Sequence, residues 1–434
     1  MNNIIRFLLI LILLSNCSLD NKTGIWSKKE KIKKEKKIII LEQFKKDEAL
    51  KSELNPNLKI NLTAKLINNS FINNFDNNNG RINYEGNLEN ISRFKFKKID
   101  NFHQFEPEIV FNNDNIIFFD NKGSILKFDN LSKLIWKKNY YLKTEKKLKP
   151  ILFFSNNKNI LIVADNIAKY YALDINNGNL IWSKKNLVPF NSNIKIYKDK
   201  FFVIDLENTL RCYSILDGKE LWNIKTEKTF IKSQKKLSLL IIDEKIYFNN
   251  SIGDISAVDI KNGELIWQTP TQSSAIYEDA FFLKTSDLIA NNKSILFSNN
   301  KNEFFSLDVK TGVIKWKQKV NSNLKSTLID NLIFSITMEG YLVVIDNRSG
   351  GIIRITDIFK QFKTKKRLEI KPVGFIVGTS KIYLSTNHGR LMIIDILTGQ
   401  TDSMLKIDND IISRPFVSKK NLFIIKENSI IRLN

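Results

Sequence analysis

The sequence predicts an all-β protein, an eight-bladed β-propeller that is closed by an N-terminal strand. Two observations lead to this prediction: a short stretch recurs along the chain, and the last copy stops before its final strand. The best-preserved copies of the stretch are Ala172–Trp182, Ala257–Trp267 and Ser306–Trp316. A repeat of about 40–50 residues with strand-like composition is typical of propeller blades.

The aspartate of each copy marks its place in the chain. These marker positions are 129, 174, 214, 259, 308, 346 and 395, with Ser at 214, and an eighth falls on Asn434 at the end of the chain. Successive markers are roughly 40–50 residues apart, which predicts eight blades.

Three positions of the repeat have a mechanical explanation. The marker carboxylates are expected to accept hydrogen bonds from the next backbone amides of a turn, as in Asp174, Asp259 and Asp308. Glycines four residues later are expected to mark a second turn: Gly178, Gly263 and Gly312. The recurring indoles are predicted to pack between blades and not to stack on a ligand: Trp136, Trp182, Trp222, Trp267 and Trp316.

An early strand is expected to complete the last blade. The final repeat ends at its marker and lacks the strand that should follow. Within Ile91–Ile99, the residues Arg93 to Lys97 alternate between basic and aromatic side chains, as a half-buried strand does. Pairing this segment with the C-terminus would close the ring and remove its exposed edges.

The Ala-x-Asp-x-x-x-Gly-x-x-x-Trp pattern resembles the repeat of the pyrroloquinoline-quinone-type β-propellers, over roughly residues 81–434. This group includes quinoprotein dehydrogenases and the non-enzymatic BamB family of outer-membrane assembly lipoproteins. The remainder of the chain distinguishes between the two.

The N-terminus has the pattern of an export signal with a lipidation site. Phe7–Leu14 is an apolar run after Arg6, too short to span a bilayer, and it ends in Leu-Ser-Asn-Cys17. This ending resembles a bacterial lipobox, although Asn16 departs from the usual small residue. We therefore expect a signal peptide over 1–16, a lipidated tether over 17–80, and the propeller over 81–434. An ordinary signal peptide with a chance cysteine is the alternative.

Composition narrows the function further. The net charge of +23 is compatible with binding to nucleic acid or an anionic surface, but the lysines are spread along the whole chain and no nucleic-acid motif accompanies them. A general bias toward Lys, Asn and Ile explains the charge more simply. The two cysteines and two histidines show no metal-ligand spacing, so we predict no metal and no cofactor.

Finer expectations concern the segments around the repeats. Leu58–Leu62 alternates like a strand, and Ile38–Leu54 has a weak helical pattern. Asn68–Gly80 is predicted to be a loop. Longer insertions, among them Leu142–Pro150 and Phe359–Arg367, are predicted to be loops at the ends of the blades.

The sequence favours a scaffold over an enzyme. Quinoprotein dehydrogenases carry adjacent cysteines, a catalytic aspartate and acidic calcium ligands, whereas Cys17 and Cys212 are far apart and the aspartates are largely explained by turns. The resemblance to the BamB family implies an outer-membrane lipoprotein that faces the periplasm. Its partners would be the POTRA domains of a BamA-like barrel insertase and other lipoproteins of that machinery. A polysaccharide-binding lipoprotein is a further alternative.

The same resemblance implies contact residues on loops between middle blades. The matching stretches are 230–236 and 284–288, in which Phe230, Ile231 and Lys235 would form an apolar and basic element and Asp287 an acidic contact.

Overall fold

The computed structural model describes residues 50, 52–70, 74–100, 106–227, 232–233, 235–271 and 283–434. Their strands form eight antiparallel sheets of four strands each, which are the blades of a propeller, as predicted. In seven blades the four strands are consecutive in the chain. The eighth consists of three C-terminal strands and the first strand of the described chain.

The first four blades are defined by the following strands. Blade 1 contains β2 (Val110–Asn112), β3 (Asn115–Phe119), β4 (Ile125–Phe128) and β5 (Leu134–Lys138). Blade 2 contains β6 (Leu152–Asn157), β7 (Ile160–Asp165), β8 (Lys169–Asp174) and β9 (Leu180–Lys185). Blade 3 contains β10 (Lys195–Tyr197), β11 (Lys200–Ile204), β12 (Thr209–Ser214) and β13 (Glu220–Lys225). Blade 4 contains β14 (Leu239–Ile242), β15 (Lys245–Asn249), β16 (Ile255–Asp259) and β17 (Leu265–Thr269).

The other four blades follow the same plan. Blade 5 contains β18 (Ile289–Ala290), β19 (Ser294–Asn299), β20 (Glu303–Asp308) and β21 (Ile314–Gln318). Blade 6 contains β22 (Thr327–Ile329), β23 (Leu332–Ile336), β24 (Tyr341–Asp346) and β25 (Ile352–Asp357). Blade 7 contains β26 (Pro372–Val377), β27 (Lys381–Thr386), β28 (Arg390–Asp395) and β29 (Thr401–Lys406). Blade 8 contains β30 (Phe416–Ser418), β31 (Asn421–Lys426), β32 (Ser429–Leu433) and β1 (Asn90–Lys95).

The first strand of each blade lies nearest the central axis, where the first strands of neighbouring blades approach one another. The second and third strands are almost fully buried, whereas the fourth strands are largely exposed, as in β9. Because successive strands run in opposite directions, their connections alternate between two faces. We call the face with the connections between blades, and between second and third strands, the upper face. The hairpin turns between first and second, and third and fourth, strands form the lower face.

The turn chemistry predicted from the repeat is present. The Asp308 carboxylate accepts hydrogen bonds from the backbone amides of Lys310 and Thr311, both at 3.0 Å. Asp174 and Asp259 accept from the amides two residues on at 2.7 Å. Gly312 has a φ of +73° and donates its amide to the Asp308 carbonyl at 2.9 Å. The marker and the glycine therefore fix one tight turn on the lower face.

The indoles lie between blades. Trp267 of blade 4 contacts Gly312 of blade 5 so closely that a Cβ on the glycine would lie 2.5 Å from the ring. The Trp267 indole nitrogen also donates to the Val309 carbonyl, one residue beyond the Asp308 marker, at 3.2 Å. Four other indoles meet the turn glycine of the next blade in the same way: Trp136, Trp182, Trp222 and Trp316. Each indole thus joins its own blade to the following turn.

Blade 6 has Arg354 where the repeat would place a tryptophan, a substitution that sequence reasoning missed. Its side chain is fully buried and lies against Gly399 of blade 7. The guanidinium donates to the carbonyl of Ile396 at 3.1 Å, the position that the indoles of Trp182, Trp267 and Trp316 use in other blades. It also donates to the Leu58 carbonyl at 2.9 Å, so it binds the N-terminal segment to the junction of blades 6 and 7.

Strand β1 closes the ring as predicted, because it pairs antiparallel with β32 from Asn90 opposite Leu433 to Lys95 opposite Ser429. Phe94 is fully buried and its ring lies 5.7 Å from that of Phe128 in blade 1. The closing strand therefore supplies both backbone pairing to blade 8 and apolar packing to blade 1.

Some finer expectations were wrong. Leu58–Leu62 is not a strand, because no segment of the described chain pairs with it as a ladder. The Ile60 amide makes an isolated hydrogen bond to the Leu397 carbonyl. The insertions after β5 and β25 are not simple loops, since they contain the helices α1 (Lys143–Lys147) and α2 (Thr364–Glu369). The predicted helix at 38–54 lies mostly outside the described residues. Asn68–Gly80 is irregular where it is described, as expected.

Replacing Phe94 tests the closing strand. Phe94→Ala should lower the free energy of unfolding by about 3–5 kcal/mol, because it removes a buried ring from the junction of two blades. Lys95→Ala, which alters an exposed side chain of the same strand, should change it little. Urea unfolding of both variants measures the difference, and equal destabilisation would contradict the packing role of β1.

Replacing Gly312 tests the contact between blades. Gly312→Ala should cost about 2 kcal/mol or more, because alanine resists a positive φ and its Cβ would clash with Trp267. Gly351→Ala is a matched control, since its Cβ would meet only the Ser349 hydroxyl at 3.2 Å. If thermal unfolding shows the two variants to be equally stable, the turn glycine does not set the spacing of the blades.

Candidate functional site

The lower end of the central channel is crossed by the asparagine-rich segment 74–82. The amide of Ile241 donates to the Phe75 carbonyl at 2.9 Å, and that of Ala290 donates to the Asp76 carbonyl at 2.9 Å. Both residues lie at the lower ends of first strands. The Asn77 side chain points into the channel and donates to the carbonyls of Leu239 and Leu288. This segment therefore satisfies backbone groups of several blades at once.

A cluster of charged side chains lines the channel above this segment; we call it the channel cluster. Lys236 pairs with Glu108 at 3.1 Å, and Arg414 pairs with the same carboxylate at 2.6 Å. Lys235 pairs with Glu106 at 3.4 Å and donates to the Asn323 carbonyl. The remaining members are Lys195, Lys325 and Asp287, which come from blades 3, 6 and 5.

Two lysines of the channel cluster are held by neutral oxygens. Lys325 donates to the Asn79 side-chain oxygen at 3.2 Å, and Lys195 donates to the Asn74 carbonyl and the Asn77 side-chain oxygen. Burial, with the nearby Arg414 cation, lowers the pKa of Lys325 to about 7. Burial likewise lowers the pKa of Lys195 to about 8. Neither ammonium is as well stabilised as it would be in water.

The pKa values of two carboxylates in the cluster are lowered as well, so their charged forms are stabilised whereas those of the two lysines are not. Burial alone would raise the pKa of Asp287, but Lys235, Lys236, Arg414 and Lys325 outweigh it and hold that pKa below its usual range. Burial would also raise the pKa of Glu108, and Lys236 and Arg414 lower it instead. At these two carboxylates, the nearby cations therefore outweigh the effect of burial.

A cavity of about 760 Å³ lies at the upper end of the channel. All eight blades contribute to its wall, and the charged residues among them are Glu106, Lys235, Lys284 and Lys371. Asparagines from the connections add amide groups, among them Asn191 and Asn323. The cavity is therefore polar, and basic side chains outnumber acidic ones in its wall.

The upper face also exposes large apolar side chains on the connections between blades. Leu187, which lies between blades 2 and 3, is 97% exposed. Its loop contacts the next connection, because Asn191 donates to the carbonyls of Ser233 and Lys235. Three other exposed leucines lie on similar connections: Leu142, Leu148 and Leu368.

The structure brings two of the four predicted contact residues together. Lys235 and Asp287 both lie in the channel, where they interact electrostatically. Lys235 is mostly buried, and Asp287 is partly exposed. Phe230, Ile231 and Cys17 lie outside the described residues. Sequence reasoning missed Lys195, Lys325 and Arg414, because lysines and arginines occur throughout the chain.

Other chemistry is limited in the part of the chain that the structure describes. No group of three or more His, Cys, Asp or Glu side chains could hold a metal ion there. Cys212 is a buried free thiol, and burial raises its pKa to about 12. Among the described residues, no helix has the length and apolar character needed to cross a membrane.

Solved structures of three propellers resemble this chain. BamB from Moraxella catarrhalis matches with a TM-score of 0.65 and 15% identity, over 80% of this chain and 99% of that one. A europium-containing methanol dehydrogenase matches with a TM-score of 0.65 and 11% identity, over 82% and 89%. The quinohemoprotein alcohol dehydrogenase from Comamonas testosteroni matches with a TM-score of 0.62 and 10% identity, over 81% and 78%. At such identities the likeness shows a shared fold alone.

The recurring turn and indole define the class of protein, a β-propeller built from quinoprotein-type repeats. The sequence profile described as outer membrane protein assembly factor BamB matches residues 121–356, more than half of the chain. The chain therefore belongs to the BamB family. No curated protein sequence matches it.

Replacing Lys325 should change how stability depends on pH. Between about pH 7 and the ordinary lysine value of 10.5, the folded protein binds fewer protons at Lys325 than the unfolded chain does. Raising the pH across this interval therefore favours folding. Lys325→Met should flatten this rise in the free energy of unfolding.

Chemical denaturation across this pH range provides the measurement. Lys310→Met, at an exposed turn on the lower face, is the control and should retain the wild-type slope. The groups that act on Lys325 are Arg414, Asp287, Lys195 and Glu108, and all of them are retained in both variants. An unchanged slope in Lys325→Met would show that Lys325 keeps an ordinary pKa in the folded protein.

Proposed function

We propose that this protein is a non-enzymatic scaffold lipoprotein of the outer-membrane β-barrel assembly machinery. It is anchored in the outer membrane through lipid on Cys17 and faces the periplasm. Its upper face binds the POTRA domains of a BamA-like insertase, in company with other lipoproteins of the machinery, and assists the insertion of β-barrel proteins. Membership of the BamB family supports this proposal.

The observation that carries the proposed docking site is the pair of connected loops between blades 2, 3 and 4. One loop exposes Leu187. The other contains the stretch 230–236, in which the family resemblance predicts contact residues. An exposed apolar side chain suits a partner that offers an apolar patch or a sheet edge. The interaction would then bury Leu187 against the partner.

The repeat aspartates support a structural role over a catalytic one. Asp174, Asp259 and Asp308 lie in lower-face turns, where each accepts hydrogen bonds from its own turn. Their carboxylates are thus committed to the backbone of the blades. A dehydrogenase-like or polysaccharide-binding function has no comparable support from a particular group of residues.

A mild-detergent pull-down of the full-length, tagged protein from its own envelope tests the proposal. Recovered proteins identified by mass spectrometry should include the barrel insertase. Leu187→Lys should reduce this recovery roughly tenfold, because it places a charge at the proposed contact. Leu216→Lys is the matched control, since Leu216 is 82% exposed in a lower-face turn.

The two variants separate docking from a general effect of charge. Wild-type recovery with Leu216→Lys, together with loss in Leu187→Lys, is the expected result. Equal recovery with both variants would remove the upper face as the docking site. Failure of the wild-type protein to recover any insertase would count against the assembly role itself.

A further inference from the structure

The channel cluster holds more positive than negative charge. Among the described residues, its five cations are Lys195, Lys235, Lys236, Lys325 and Arg414, and the four carboxylates that act on them are Asp76, Glu106, Glu108 and Asp287. Lys284 and Lys371 add basic groups in the wall of the cavity above. Burying charged groups is costly even when they are paired, so a purely structural channel would gain from apolar side chains at these positions.

The cations approach the axis from several directions. Lys195 belongs to blade 3, Lys325 precedes blade 6, and Arg414 precedes blade 8. Lys325, Asp287 and Glu108 keep partial contact with solvent although protein surrounds them. Because they lie near the axis, this solvent is the water of the channel. The cavity at the upper end of the channel is lined by Lys235 and Glu106 of the cluster, so space for a small ligand adjoins these two side chains.

We propose that the channel cluster binds a small oxyanion of the phosphate class, which enters the channel from the cavity at its upper end. Cations on separate blades suit a tetrahedral group with oxygens on all sides, whereas a planar carboxylate is best bound by a single guanidinium fork. Lysines act as point charges toward such a group. The ligand is either free phosphate or the phosphate of a larger molecule whose remainder fills the cavity.

Asp287 competes with this ligand for the same cations. Lys235, Lys236, Arg414 and Lys325 all act on its carboxylate, so the aspartate partly neutralises the site when no anion is bound. Removing its charge should therefore strengthen anion binding. Removing the charge of Lys325 should weaken it. General attraction to a basic protein would change in the same directions, so a matched loss of charge outside the channel, at Lys310, is needed to identify a built site.

Proton uptake provides a second signature. Lys325 and Lys195 have pKa values lowered to about 7 and about 8, so both are partly deprotonated in mildly alkaline solution. An oxyanion beside them would raise both pKa values, and its binding would draw protons from the buffer. Sulfate is the best probe here because it does not titrate in this range.

Isothermal titration of the detergent-solubilised full-length protein, at constant ionic strength, tests the proposal with inorganic phosphate. Lys325→Met should weaken binding about tenfold or more, as expected for a hydrogen bond to a charged group. Asp287→Asn should tighten it. Lys310→Met, which removes an equal charge from the lower face, should bind like the wild type. Sulfate heats should vary with buffer ionisation enthalpy in the sense of proton uptake.

Several outcomes would overturn the proposal. These are no phosphate binding by the wild type, equal weakening in Lys325→Met and Lys310→Met, and no tightening in Asp287→Asn. The last comparison decides the matter if Lys325→Met does not fold. Glycerol phosphate distinguishes the source of the ligand: tighter binding than inorganic phosphate favours a larger phosphorylated molecule, and equal or weaker binding favours the free ion.

This inference is independent of the proposed assembly role. Phosphate binding involves the channel, whereas the pull-down tests Leu187 on the outer surface of the upper face. Either experiment can fail while the other succeeds.

Discussion

Closure of the ring is the constraint on which the rest of the fold depends. Blade 8 takes three strands from the C-terminal part of the chain, β30, β31 and β32, and strand β1 supplies the fourth. Since β1 also buries Phe94 against blade 1, one pairing links the two ends of the folded chain and two neighbouring blades. An array left open at this point would expose a sheet edge and the apolar sides of two blades.

Six of the eight contacts between blades use one arrangement, five of them with an indole and one with Arg354. An indole supplies shape and one hydrogen-bond donor, which suits a junction of two blades. Arg354 supplies several donors, and it serves a junction where a third chain segment must also be held. The departure from the repeat at this position thus coincides with the place where the N-terminal segment crosses the lower face.

The features of the fold that could be predicted from the sequence are those that recur in many copies of the repeat. The markers, turn glycines and indoles recur at fixed spacings, so blade number and closure could be predicted before the structure was known. Channel contacts occur once each and join residues that are distant in sequence, such as Asn79 with Lys325. Leu58–Leu62 is a case in which a sequence pattern misleads. Its alternation predicts a strand, but no segment of the described chain lies where it could pair with it.

The channel shows why a repeat fold can carry a site that the repeat does not reveal. Eight first strands bring eight connections to one axis, and each blade can place a different side chain there without altering its own core. The second and third strands carry the apolar packing, as in β7 and β8, so the axis is free to vary. Residues 74–82 satisfy the lower ends of several first strands, whereas the upper end is lined by connections that impose no shared sequence. The repeat therefore does not determine which side chains lie at the axis. The lysines and the aspartate of the channel cluster are explained by their interactions with one another and not by a repeated motif.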